Sequence, residues 1–516
     1  MKTLNIKFAA LAVLLIFGAL DVADAQKSNT KPRSVRLKND MKSNVNTVFL
    51  PNRSPLVSLR IQFLTGAIDD AAGKEGLANL TAAMLAGGGS KNLTYDEIVE
   101  QFYPLATSFG SQVDKEMTTF SGTTHIDNLE KYYGIVRQML LEPGFREDDF
   151  TRVKQDAINY LKVSLRQGND EELGKERLYN IIYANHPYAH NNVGSISALE
   201  KLTLQDVKDF YAKNYTQANL VIGLSGRFSA DFGQKMQNDF AKLPNGAKTP
   251  RKIAAPKLDQ ATKIDIVQRE TRATAISFGF PIDVRRGEKD FAALALVASF
   301  LGQHRSSNSY LYQRLREARG LNYGDYAYVE YFPRGMFQFE PDPNLARQSQ
   351  IFQIWIRPVE PQNAHFALRA AMYEFDKLVK NGMSQEAFAA TREFLSKYVN
   401  ILTQTQDAAL GYALDSQYYG TPDFNEYMKT ALAKLSLEDV NRAIKTHLAN
   451  QPMRIVMVTK DAESLKNAIV SNAASPMKYN SPKPQTITDE DKIIQDYRIN
   501  VRPLDVTITP VEKVFE

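Results

Sequence analysis

The sequence predicts an α+β chain built from two homologous halves, each a mostly antiparallel sheet with helices packed on one face, the pair closing like a clam. Three observations carry this expectation. A strand that alternates apolar and polar residues, followed by an apolar helix, occurs twice along the chain. The stretch Leu199-Glu200-Lys201-Leu202-Thr203-Leu204-Gln205-Asp206-Val207 returns as Leu432-Ala433-Lys434-Leu435-Ser436-Leu437-Glu438-Asp439-Val440. Each copy then leads through a short helix into an apolar strand, Asn219 to Leu224 in one and Arg454 to Val458 in the other.

Taken in order, Val57, Leu59, Ile61 and Phe63 share one face of the first strand, with Ser58, Arg60 and Gln62 between them, which is the pattern of a half-buried strand. Leu77, Leu80 and Met84 fall at helical spacing. Gly87-Gly88-Gly89 ends that helix, because glycine readily takes the left-handed cap conformation. Thr94 and Glu97 form a capping box for the next helix, and Ser111 to Thr124 reads as strand and turn. Arg146 to Gln167 is a long amphipathic stretch with Phe150, Val153, Leu161 and Leu165 on one side. In the second half, Ala275 to Phe280 is again an alternating strand and Phe291 to Leu301 an apolar helix. Between the halves, Pro244 to Lys263 is rich in Pro, Ala and Lys and has little periodicity, so 244–263 reads as a linker joining 26–243 to 264–475. Residues 476–516 form a tail, whose alternating piece Val506 to Thr509 is expected to dock back on the body.

Composition narrows the function. Hydrophobic residues make up 43% and charged residues 23% of 516, the proportions of a soluble globular protein with room for more than one core. Lysine and arginine exceed aspartate and glutamate by only 63 to 58 and form no basic stripe, which argues against nucleic acid as a partner. The absence of cysteine excludes disulfides, thiol catalysis and thiolate metal sites. At the N-terminus, Lys2 and Lys7, an apolar run from Phe8 to Leu20, and Ala23-Asp24-Ala25 before Gln26 match a secretory signal peptide over residues 1–25. That run is too short to span a bilayer, so a periplasmic or secreted protein without a stable membrane span is expected. Of six histidines, His186 and His190 stand four apart, but Pro187 breaks the helix that would bring them onto one face, and His186-Pro187-Tyr188 reads as a structural turn.

Gly66-Ala67-Ile68-Asp69-Asp70 through Gly76-Leu77-Ala78, His186-Pro187-Tyr188 through Gly194 to Leu202, and Leu315 to Tyr323 resemble, in order, signatures of the insulinase/pitrilysin zinc peptidases, over about residues 40 to 470. The resemblance implies the two-half layout, and a helix after Gly-Leu-Ala bearing His-x-x-Glu-His, where two imidazoles hold Zn²⁺ and the glutamate activates water. The matching positions here are Asn79, Ala82 and Ala83. The family's distal glutamate ligand falls near Tyr160, with no carboxylate nearer than Asp156. By themselves the alanines are simply good helix formers; in the family's frame both the ligand pair and the base are gone. No cofactor is therefore expected in this chain.

Leu315-Arg316-Glu317-Ala318-Arg319-Gly320-Leu321-Asn322-Tyr323 resembles the family's substrate-clasping segment, with Arg316 and Tyr323 as the matching pair. A guanidinium and a phenol are both donors suited to a carbonyl oxygen that becomes negative. Gly320 is expected to end the helix carrying Arg316 and turn the chain into a strand carrying Tyr323. Without the resemblance, the two would read as an exposed helical arginine and a core tyrosine. Loss of the zinc half with retention of the Arg/Tyr half implies a subunit that is inactive alone, grips extended peptide, and completes the active site of a zinc-bearing homologous partner in a metalloendopeptidase. The alternative is a non-enzymatic peptide-binding or structural subunit of an envelope complex.

Overall fold

Alternation along Val57 to Phe63 makes β2 (Leu56–Phe63) the middle strand of a five-stranded sheet in the computed structural model, which describes residues 45–247 and 251–516. The expected signal segment lies outside the described residues. The other strands of this sheet are β1 (Asn46–Pro51), β3 (Gly110–Val113), β4 (Thr118–His125) and β5 (Leu220–Gly226), in spatial order β1-β5-β2-β4-β3, antiparallel throughout except for the β1–β5 pair. Around it run helices α1 (Leu77–Gly87), α2 (Tyr95–Phe102), α3 (Leu129–Leu141), α4 (Glu147–Asn159), α5 (Asp170–Ile182), α6 (Ile196–Lys201), α7 (Leu204–Asn214) and α8 (Ala230–Phe240). The second half holds β6 (Lys263–Gln268), β7 (Thr274–Ile282), α9 (Phe291–Gly302), β8 (Asp325–Tyr328), β9 (Gln350–Val359), α10 (Ala364–Asn381), α11 (Gln385–Leu402), α12 (Gln406–Tyr419), α13 (Phe424–Lys434), α14 (Leu437–His447) and β10 (Arg454–Thr459). After these come α15 (Ala462–Val470), α16 (Gln485–Ile494) and β11 (Val506–Pro510).

The second sheet is ordered β11-β6-β10-β7-β9-β8. Without β11 this is the first sheet over again, element for element. The sequence echo sits at equivalent points: Thr203 caps α7 through Asp206, Ser436 caps α14 through Asp439, and both pairs are reciprocal capping boxes. The alternating piece of the tail is β11, parallel to β6, and the hydroxyls of Thr507 and Thr509 donate to Asp265 Oδ1 at 3.0 and 2.6 Å.

One expectation needs correcting. The first strand was read as half-buried, yet Ser58, Arg60 and Gln62 are buried as well as Val57, Leu59, Ile61 and Phe63. The reason is reciprocal: α12 of the second half lies on β1, β2 and β5, and α5 of the first half lies on β7, β9 and β10. Each sheet therefore carries its own helices on one face and a single helix of the other half on the opposite face. Helix α5 packs here through Gly174, where a Cβ would meet Ser277 Oγ and Val458 Cγ2 at 3.5 Å, an ordinary contact distance. Across the other junction Arg60 Nε donates to Asp407 Oδ1 at 3.1 Å and Arg60 Nη1 to Asn344 Oδ1 at 2.8 Å.

Candidate functional site

The sequence pointed to two places, one on α1 and one after α9. Helix α1 starts without a side-chain cap of its own; Asp70 takes that role, accepting from the backbone N–H of Gly76 and of Ala78, both at 2.7 Å. Burial raises the Asp70 carboxyl, and the His190 ring at 3.0 Å offsets only part of that rise. His190 is thus fixed as the partner of a cap. His186 is occupied too: Nε2 meets the Ala254 carbonyl at 2.9 Å and Nδ1 accepts from the Tyr188 N–H at 3.1 Å. The structural turn is the arrangement observed.

On the capped helix, Asn79 and Ala83 are half-buried one turn apart and Ala82 is fully buried. Helix α4 packs against α1 and runs on into a π-helical turn, Tyr160–Leu165, in which Tyr160 is 39% exposed. Two alanines, an amide and a phenol offer no imidazole and no carboxylate, so these residues do not fit a zinc ion. Among the described residues no group of three or more His, Cys, Asp or Glu is disposed to hold a metal.

The Arg/Tyr segment is assembled differently from its sequence reading in one respect. Arg316 lies in a π-helical turn, Tyr312–Glu317, and Gly320 at φ +71° ends it, its N–H donating to the Arg316 carbonyl at 2.7 Å. Tyr323, expected in a strand, sits in the bend two residues before β8, because Gly324 at φ +156° is needed to enter the sheet. The two side chains do converge. The Arg316 guanidinium lies 5.9 Å from the Tyr323 ring centre and 4.9 Å from that of Tyr312, and it also pairs with Glu317. Tyr323 is no core tyrosine, being 77% exposed. Two residues on, Asp325 is buried at the start of β8 with only Asn322 Nδ2 on one oxygen, at 2.7 Å; burial pushes its carboxyl up to about 8, so it is largely uncharged at neutral pH.

What sequence reasoning missed is a charged cluster buried at the seam between the halves. The β3–β4 turn carries Asp114, Lys115 and Glu116, all buried. Arg347, in the segment between β8 and β9, reaches across and holds Asp114 with both arms, Nε to Oδ2 at 2.7 Å, while its face covers the Tyr331 ring at 3.7 Å. Lys115 donates to the His190 carbonyl; burial and the Arg347 charge push its ammonium down to about 7, against the pull of Asp114. Glu176 on α5 is raised by burial, and it accepts from Asn191 at 2.8 Å and from Tyr331 at 2.9 Å. A charged tripeptide in a hairpin turn reads as solvated, so no local signal marks this cluster. A cavity of about 570 Å³ opens nearby, lined by Glu116, Arg251, Gln348 and Tyr418 among others; neither Arg316 nor Tyr323 borders it.

Two family models match almost without a break: insulinase, peptidase family M16, over residues 47–194, and the peptidase M16 inactive domain over residues 201–395. A curated relative from Helicobacter pylori, the non-peptidase homolog YmxG, is 23% identical over 63% of this chain and 71% of its own length. The zinc protease PqqE of the same organism is 23% identical over 55% of this chain and 64% of its own. Among solved structures, a peptidase M16 inactive domain from Pseudomonas fluorescens superposes with a TM-score of 0.69 at 24% identity, covering 81% of this chain and 96% of that one.

Proposed function

Because the chain belongs to peptidase family M16, the insulinase family, we propose that it is the non-zinc-binding subunit of an exported, heteromeric metallopeptidase. In this reading it grips extended peptide and lends Arg316 and Tyr323 to the active site of a zinc-bearing homologue. The observation that carries the reading is the contrast between two faces: α1 presents Asn79, Ala82 and Ala83 where a metal would need donors, while Arg316 and Tyr323 stand together, the phenol exposed and the guanidinium half-buried beside Glu317.

The chemistry follows from those two donors. When an amide carbonyl is attacked, charge collects on its oxygen, and a guanidinium plus a phenolic O–H fixed in place stabilise that charge more than they stabilise the starting carbonyl. An extended peptide would reach them by adding to a sheet edge, and β8, which begins two residues after Tyr323, is an edge strand of the second sheet. Zinc, supplied by the partner, would activate the attacking water.

A second reading, a non-enzymatic structural or peptide-binding subunit, is favoured by one observation: a relative at this distance carries the name non-peptidase homolog. Mixing decides between them. The native protein is purified with its companion chain, and turnover of an unstructured peptide is assayed for each chain alone and for the mixture. Only the mixture is expected to be active, and Arg316→Ala or Tyr323→Phe in this chain is expected to lower its turnover by at least about tenfold with partner affinity unchanged. Full activity from the companion alone, or a loss that merely follows lost assembly, rejects the peptidase reading.

A further inference from the structure

Helix α16 belongs to the tail segment, and it reaches back to the turn that carries Arg316. On the side of that turn away from Tyr323, Arg314 and Arg319 point inward. Arg319 is fully buried: Nη2 donates to Glu490 at 2.7 Å, Nε to Asp491 at 2.8 Å, and Nη1 to the Arg314 carbonyl at 2.8 Å. Arg314 pairs with the same Glu490 and donates through Nε to Glu374 of α10 at 2.7 Å. Lys377, one turn further along α10, bridges Glu374 and Glu490, each at 3.1 Å. Tyr479 donates to the second Asp491 oxygen at 2.6 Å, and Tyr310 to Glu374 at 2.6 Å.

Three cations and three carboxylates thus balance, and two of the three carboxylates come from α16. Removing either one leaves a guanidinium buried without its full set of acceptors. Arg316 lies in the turn between Arg314 and Arg319, so besides its own contacts with Glu317 and Tyr312 its direction depends on the anchoring of those two arginines on either side of it. Glu490 is held below the usual carboxylate range: burial alone would raise it, but the hydrogen bond from Arg319 and the charges of Arg314 and Lys377 outweigh that.

We infer that Glu490 and Asp491 of α16 are positioning residues for Arg316 and Tyr323, so that the tail segment is a working part of the peptide-gripping site. The inference rests on the peptidase reading for its effect on turnover, but not for its effect on order. The test uses the full chain with Glu490→Gln. Hydrogen exchange is expected to speed up over residues 312–323 by at least about tenfold, while β7 and β9 keep their protection. In the mixture with the zinc-bearing companion, turnover is expected to fall at least about threefold. In an Arg316→Ala background, Glu490→Gln is expected to cost clearly less than it does alone, only what it takes from Tyr323, a non-additivity that general destabilisation does not produce. Unchanged exchange over 312–323, or an additive loss in the double variant, overturns the inference. If Arg316→Ala alone leaves turnover intact, the peptidase reading fails, and the exchange measurement still decides whether α16 holds the turn. Should Glu490→Gln fail to fold, Tyr479→Phe removes one hydrogen bond from Asp491 and carries the same readouts.

Discussion

Replacing Arg347 by alanine leaves the Asp114 carboxylate buried with Asn192 Nδ2 at 2.9 Å as its remaining side-chain donor, and it also uncovers the face of Tyr331. Asp114 is fully buried and Arg347 is 2% exposed, so solvent does not replace what is lost. Removing one partner of such a pair costs about 3–5 kcal/mol. For a unit of the size of either half, each kcal/mol moves Tm by about 2–4 °C, which places the expected drop at roughly 6–20 °C. The pair Arg60–Asp407 supplies the contrast: Asp407 is 38% exposed, and Arg60 keeps Asn344 and the Asp407 carbonyl, so Asp407→Asn is expected to cost no more than about 1 kcal/mol. Both variants are compared by thermal and urea unfolding. The double variant Arg347→Met/Asp114→Asn, which removes both charges, is expected to be more stable than the sum of its single variants by about 1 kcal/mol or more. A drop below about 1 kcal/mol for Arg347→Ala, or strict additivity in the double variant, refutes the claim that this pair fastens the two halves.

Lys115 is held near 7 in the folded chain, whereas an unfolded lysine titrates near 10.4. Between these values the unfolded chain binds more protons, so stability rises with pH, by up to about 1.4 kcal/mol per unit, and below pH 7 the full penalty is present. Lys115→Met is expected to flatten the slope of unfolding free energy between pH 7 and 9 relative to the unaltered chain; parallel slopes contradict it. Metal analysis after dialysis is expected to find no stoichiometric zinc on this chain. Asn79→His with Ala83→His and Tyr160→Glu is expected to bring it to one zinc per chain, and zinc held tightly by the unaltered protein would dispose of the reading of α1.

Much of this fold was legible because its instructions are local. The two capping boxes, Thr203 with Asp206 and Ser436 with Asp439, satisfy helix ends within four residues, so the repeat shows in the sequence as plainly as in the sheets. What was hidden depends on partners far along the chain. Helix α5 carries Glu172, Lys175 and Glu176, charges of the kind that ordinarily stay in water, yet all three are buried because the opposite half supplies their partners: Tyr331 for Glu176, and the Trp355 ring 3.7 Å from the Lys175 ammonium. The same holds for Arg60, whose place in an alternating strand suggested water and whose partners lie more than 280 residues away. At the candidate site, the pairing of Arg316 with Tyr323 came from the family resemblance, with Gly320 as the expected turn between them; the anchors on α16 were not readable, since nothing near Glu490 in the sequence distinguishes it from a surface carboxylate.

The two charged centres of the second half differ in a way that bears on where a peptide would be gripped. Arg347 is spent inside the chain: both of its arms and one of its faces are taken, and the seam it crosses is closed by α5 and α12 lying on each other's sheets. Opening that seam would strand Asp114, Lys115 and Glu176 together, so the halves gain nothing from parting to admit a substrate. Arg316 and Tyr323 differ from Arg347, with the ion pairs of Arg319 behind them, the Tyr323 ring exposed in front and the Arg316 guanidinium half-buried beside Glu317. Had the chain used the pair for its own packing, the phenol would be covered, as Tyr331 and Tyr188 are. The Tyr323 phenol therefore stands open, whereas the Arg316 guanidinium, paired with Glu317 and lying over Tyr312, would have to exchange that carboxylate for an acceptor brought from outside, as the proposed peptide site requires.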